Sequence, residues 1–130
     1  MGTRPRCTLA ATVLDAPDAR ELAAFYGGLP DWPVREDQPD WVMLAPPEGG
    51  AGLSFQTEPH FVRPQWPSTP DRQQMIHLNT EVDDLPWAVA HARALGATLA
   101  DLQPQEDVRV LLDPVGHPFC LFVRADGSGD

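Results

Sequence analysis

Four histidines (His60, His77, His91 and His117), two cysteines (Cys7 and Cys120) and nineteen Asp and Glu residues are the side chains here that could move a proton or hold a metal. Their spacing narrows the chemistry. No two histidines stand four apart, and neither HExxH nor CxxC occurs, so the common zinc motifs are absent. His91 falls in a helical pattern and reads as a packing or exposed residue. His117 falls in the turn Asp113-Pro114-Val115-Gly116-His117-Pro118, where a histidine serves local backbone groups. His77 differs by parity. In the alternating run 75–82, residues Ile76, Leu78, Thr80 and Val82 form one face, and His77, Asn79 and Glu81 form the other. A mid-strand imidazole facing away from a helix layer borders either solvent or a cleft. In a cleft it is suited to general acid–base work, because its pKa lies near neutrality. A structural histidine satisfied by a neighbouring strand is the alternative.

The elements that must position these side chains come in duplicate. Residues 11–29 and 77–95 share one plan: a short strand, an acidic turn, then a helix. The offset is constant, with Ala11 aligned to His77, Tyr26 to Ala92 and Leu29 to Leu95. In the first copy a strand over 8–14 precedes a helix that Asp18 caps, with Glu21 three residues on. Leu22, Phe25, Tyr26 and Leu29 form its stripe, and Gly27, Gly28 and Pro30 end it. Strands follow near 33–36, 41–45 and 52–57. In the second copy the strand 75–82 leads to a helix over 85–95, ended by Gly96, and to strands near 98–100, 108–113 and 118–124. The spacing therefore predicts an α+β chain of two βαβββ modules, about 7–58 and 74–125. The loop 59–73 joins them, and the last residues form a tail. Residues 58–73 carry four prolines with Phe61 and Trp66 and show no periodicity. The segment is either a linker or a functional loop. Each half alone would leave an apolar sheet face uncovered, so pairing of the halves is expected to create a cleft.

Composition excludes several functions. With 130 residues, 42% apolar and 22% charged, the chain is long enough for a core and too apolar for disorder. Its formal net charge of −10 disfavours nucleic acid and anionic membranes as partners. All nine basic residues are arginine, which with the many Ala and Pro residues suggests a bacterial source. No apolar run approaches a membrane span, and residues 1–14 lack a signal peptide's pattern, so a cytoplasmic protein with two free thiols is expected.

Three stretches carry a resemblance: Phe25-Tyr26 at the end of the first helix, HLNTEVDDLPWAVAHARALGAT behind Gln74-Met75, and the closing LLDPVGHPFCLF. Together with the doubled βαβββ order, they resemble the vicinal oxygen chelate superfamily over nearly the whole chain. That superfamily includes glyoxalase I, bleomycin-resistance proteins and extradiol dioxygenases. The chain is similar to its small glyoxalase-like domain group, common in actinobacteria. The resemblance implies one domain over 1–130, with a curved mixed sheet and helices on its convex face. It also implies a divalent metal held from four strands, at positions that fall here on Ala11, Gln56, His77 and Cys120. Only Gln56, His77 and Cys120 offer a donor. No cofactor is therefore expected, although a set of that kind would suit zinc better than magnesium, with Ni, Mn or Fe as other candidates.

Without a metal the same positions imply a cup. Leu9, Ala11 and Val13 are its apolar side, beside Ser54 and Gln56, and His77, Asn79, Cys120 and Phe122 complete it. Arg109 would hold an anionic group, and Trp66 would lie in a lid, or its loop would be a linker whose aromatics pack on the sheet. The expected function is a glyoxalase-like enzyme working beside a carbonyl as an isomerase, epimerase or lyase. His77 would be its acid or base, and Gln56 and Asn79 would orient the substrate. The alternatives are a drug- or metabolite-sequestering protein, whose charge would favour a cationic ligand, and a module serving dimerisation alone. The partners expected are a small molecule and a second copy in a homodimer.

Overall fold

The structure, a computed structural model, describes residues 4–124. The chain divides into two compact units, residues 1–59 and 60–130. In the first, β1 (Ala11–Ala16) leads through α1 (Ala19–Gly28) to β2 (Val34–Gln38), β3 (Trp41–Leu44) and β4 (Gly52–Thr57). The sheet order is β1-β4-β3-β2, with β1 parallel to β4 and the remaining pairs antiparallel. The second unit repeats this plan with β5 (Leu78–Glu81), α2 (Leu85–Leu95), β6 (Thr98–Leu99), β7 (Val108–Leu112) and β8 (Pro118–Phe122), ordered β5-β8-β7-β6. The α+β class and the doubled βαβββ order are therefore as expected. Among the described residues no helix is long and apolar enough to cross a membrane.

Local chemistry explains the elements. Asp18 is the extended N-cap of α1, and its carboxylate accepts from the Arg20 amide at 3.0 Å. The hydroxyl of Thr57 in β4 accepts a second first-turn donor, the Ala19 amide, at 3.0 Å. Leu22, Phe25 and Tyr26 then face inward and are buried. The Tyr26 ring stacks on Phe55 of β4 at 5.6 Å and meets Phe25 edge-on at 4.8 Å. Gly52 opens β4 where a Cβ would stand 2.2 Å from the Leu44 carbonyl oxygen, so only glycine lets β3 and β4 close there. In α2, Asp84 caps the Trp87 amide at 3.0 Å and Gly96 ends the helix.

Most strand limits shift by one or two residues from the expected ones, and two strands start three residues late. β1 starts at Ala11 rather than Thr8, because its partner begins at Gly52, whose amide donates to the Ala10 carbonyl at 2.9 Å. β5 starts at Leu78 rather than Met75. Leu78 pairs with Phe119, so the next step back would set His77 beside Pro118, which has no N–H to extend a ladder. Met75 and Ile76 are consequently 83% and 70% exposed.

Truncating the centre of either core should destabilise strongly. Phe55→Ala is expected to remove about 3–5 kcal/mol and Leu121→Ala about 2–5 kcal/mol. Urea unfolding followed by tryptophan fluorescence measures both.

Candidate functional site

Strand register assigns the expected site residues that lie on strands to a face of their own unit. In the first sheet, the face opposite the Tyr26–Phe55 stack carries two rows. Val13, Ser54 and Met43 lie side by side, followed by Asp15, Gln56 and Trp41. Ser54 is fully buried and its hydroxyl has no hydrogen-bond partner. Gln56 is exposed, and its amide donates to Asp15 Oδ1 at 3.3 Å. The Trp41 indole donates to Glu36 Oε1 at 2.8 Å. Ala11, at the start of β1, offers no donor atom.

In the second sheet, Phe119, Leu121 and Leu111 are fully buried, and they define the face that packs under α2. The opposite face has Asn79, Cys120 and Val110 in one row and Glu81, Phe122 and Val108 in the next. Asn79, Cys120 and Phe122 therefore share a face as expected. Arg109 does not join them: it pairs with Leu121, out of phase by one residue. Its guanidinium instead donates to the carbonyls of Gln105, Glu106 and Val108 at 3.2, 2.8 and 2.9 Å. It holds its own loop and is not free for an anion on the Cys120 face. His77 is exposed and stands one residue before β5, outside the alternation that was expected to orient it.

Cys120 is half-buried, and that burial pushes its thiol pKa up, favouring SH over thiolate. Both cysteines are free thiols. Beside it, Arg124 pairs with Glu81 at 3.2 Å and lies 5.9 Å from the centre of the Phe122 ring. The donor chemistry does not fit a resident divalent metal. The first unit supplies a methyl group and an amide already paired with a carboxylate. The second supplies a protonated thiol and one exposed imidazole. Among the described residues no three His, Cys, Asp or Glu side chains come together.

The other two singled-out histidines are structural. His91 stacks on Trp87 one helical turn away at 4.8 Å. His117 gives Nδ1 to the pair with Asp113 Oδ2 at 2.8 Å, and Asp113 Oδ1 accepts from the Val115 and His117 amides, each at 3.0 Å. Asp113 is 1% exposed and organises the whole turn. Its role escaped the sequence reading, although an Asp followed by Pro and, three residues on, by Gly is a turn signature.

The proline-rich loop packs onto its own unit. Phe61 meets the His117 ring edge-on at 5.7 Å. Trp66 borders a cleft of about 390 Å³ with Leu99, Leu102 and Leu112, and its buried indole N–H has no partner. Both aromatics thus lie against the second unit.

A family model described as a glyoxalase-like domain matches residues 11–122. Among solved structures, the chain is similar to a glyoxalase/bleomycin resistance protein/dioxygenase family enzyme from Burkholderia phytofirmans PsJN. That match has 22% identity and a TM-score of 0.68, covering 90% of this chain and 98% of that one. A glyoxalase-related enzyme from Fulvimarina pelagi gives 21% identity and 0.63, covering 93% and 95%. Lactoylglutathione lyase from Agrobacterium tumefaciens gives 16% and 0.61, covering 98% and 100%. At these identities the likeness is one of fold. No curated protein matches the chain in sequence.

Two measurements check this geometry. Asp113→Ala leaves two half-buried amides without their acceptor and removes the partner of the His117 ring, and should destabilise by about 1–3 kcal/mol in chemical unfolding. A raised thiol pKa lowers the thiolate fraction, so Cys120 should react with iodoacetamide at least ten-fold more slowly than exposed Cys7 near pH 8. Its rate should still be climbing above the usual thiol range of about 8–9, as read by mass spectrometry.

Proposed function

The chain belongs to the glyoxalase-like domain family, and we propose that this member is a small-molecule enzyme acting beside a carbonyl group without a resident metal. The observation behind this reading is the mixed face of the second sheet. Asn79 supplies an amide, Cys120 a neutral thiol and Phe122 an aromatic surface, all at adjacent register positions. An amide can hold a carbonyl or hydroxyl oxygen, and an uncharged thiol is a weak donor that does not compete as a nucleophile. His77, exposed at the entrance of β5, is the proposed acid or base, moving a proton at the carbon next to the carbonyl. In the first unit, Gln56 is the proposed ligand-binding polar group; Ser54, expected beside it in the cup, is sealed from solvent and not open to a ligand. Isomerisation, epimerisation and elimination all lie within reach of one such base.

A second reading has its own support. Phe122 already accepts a guanidinium, that of Arg124, and the chain's net charge is −10. Sequestration of a cationic drug or metabolite would use the same ring.

The two readings and the absence of a metal are tested together. Protein purified without a tag should contain no stoichiometric metal by elemental analysis and show no thermal shift with Zn²⁺, Ni²⁺, Mn²⁺ or Fe²⁺. Stoichiometric metal that is lost in His77→Ala would overturn the metal-free reading. Against a panel of carbonyl compounds, turnover should fall at least 100-fold in His77→Ala with the fold retained. Saturable binding of organic cations without turnover would favour sequestration instead.

A further inference from the structure

The second unit holds a cleft that this reading does not use. It lies within the proline-rich loop as an open groove of about 530 Å³, bordered by Arg63, Arg72, Asp71, Gln73, Val62 and Met75 among others. The loop closes on itself around the space. Thr69 and Arg72 exchange backbone hydrogen bonds of 2.9 and 3.1 Å, and the Gln74 amide donates to the Gln65 carbonyl at 3.0 Å. Both arginines are fixed by backbone oxygens. Arg72 Nη1 donates to the Arg63 carbonyl at 3.3 Å, and Arg63 Nη1 reaches the Pro114 carbonyl at 3.5 Å. The Arg63 stem lies flat over Gly116, where a Cβ would stand 2.6 Å from its Cγ, so the missing side chain seats the arginine. Each guanidinium carries five N–H donors in a planar fork, and a single contact of this kind leaves the others to a ligand.

The electrostatics run against the chain as a whole. A protein of net charge −10 with nine basic residues places two of them on one cleft beside a single carboxylate, Asp71. Val62 and Met75, on the same cleft, are 65% and 83% exposed. Two forked cations next to bare apolar surface match a molecule with an anionic head and an apolar body.

We propose that this cleft binds a small organic anion, its phosphate or carboxylate held by Arg63 and Arg72 and its apolar part lying on Val62 and Met75. The site involves none of His77, Asn79 or Cys120, so it stands or falls apart from the enzymatic reading.

Binding is tested by NMR or calorimetric titration of the full chain with inorganic phosphate, phenyl phosphate, benzoate and the permanently charged cation phenyltrimethylammonium. At least one aromatic anion should saturate with an affinity ten-fold or more above that of inorganic phosphate, and which one does so identifies the head group. Phenyltrimethylammonium should not bind. Arg72→Gln and Arg63→Gln should each weaken the aromatic anion ten-fold or more, whereas Arg35→Gln on β2 should leave it unchanged. Met75→Ser, at a residue too exposed to support the fold, should weaken the aromatic anion and leave inorganic phosphate as it was. The proposal is overturned if neither aromatic anion saturates, if phenyltrimethylammonium binds as well, or if folded Arg63 and Arg72 variants and Met75→Ser all bind as the parent does.

Discussion

Each module depends on one pairing, the parallel contact between its first and last strands. β1 beside β4 and β5 beside β8 cannot be joined by a tight turn, so the chain must leave the sheet and return. In both modules the helix follows the first strand at once and covers one face, and the two remaining strands hairpin back. That single requirement decides which residues meet. Val13 lies beside Ser54 although the sequence sets them 41 positions apart, and Asn79 lies beside Cys120 for the same reason. The open faces are therefore made of first-strand and last-strand side chains, which no local stretch of sequence brings together.

Much of this was legible beforehand because it rests on local chemistry. Asp18 precedes an apolar periodic run and caps its helix as read, whereas Asp84, the matching cap of the second helix, went unread. Alternation in residues 118–122 put Cys120 and Phe122 on one face and Phe119 and Leu121 on the other, and the burial follows it. What escaped depends on partners distant in sequence. Arg109 could not be phased from a five-residue run apolar at all but one position, since either parity looks buried. His77 sat in an alternating stretch, yet its strand is set by where Pro118 interrupts the neighbour. Arg63 and Arg72 lay in a segment without periodicity, and only the loop's internal bonds show that they share a cleft.

The two halves have diverged chemically while keeping one topology. The face opposite α1 is lined by Trp41, Met43, Val13 and a carboxylate–amide pair, whereas the face opposite α2 combines a thiol, an amide and a phenyl ring. Equivalent positions thus hold a methyl group at Ala11 and an imidazole at His77. The scaffold tolerates such asymmetry because its stability comes from the helix-facing layers, Tyr26 on Phe55 in one unit and Phe119 with Leu121 in the other.

Ser54 illustrates a different kind of pressure. A hydroxyl sealed from solvent with no acceptor or donor opposite it is a standing penalty of about 1–3 kcal/mol, and alanine would fit the same space. Folding alone gives position 54 no reason to be polar. The serine therefore sits where stability and any use of the β4 face can be told apart by a single oxygen atom.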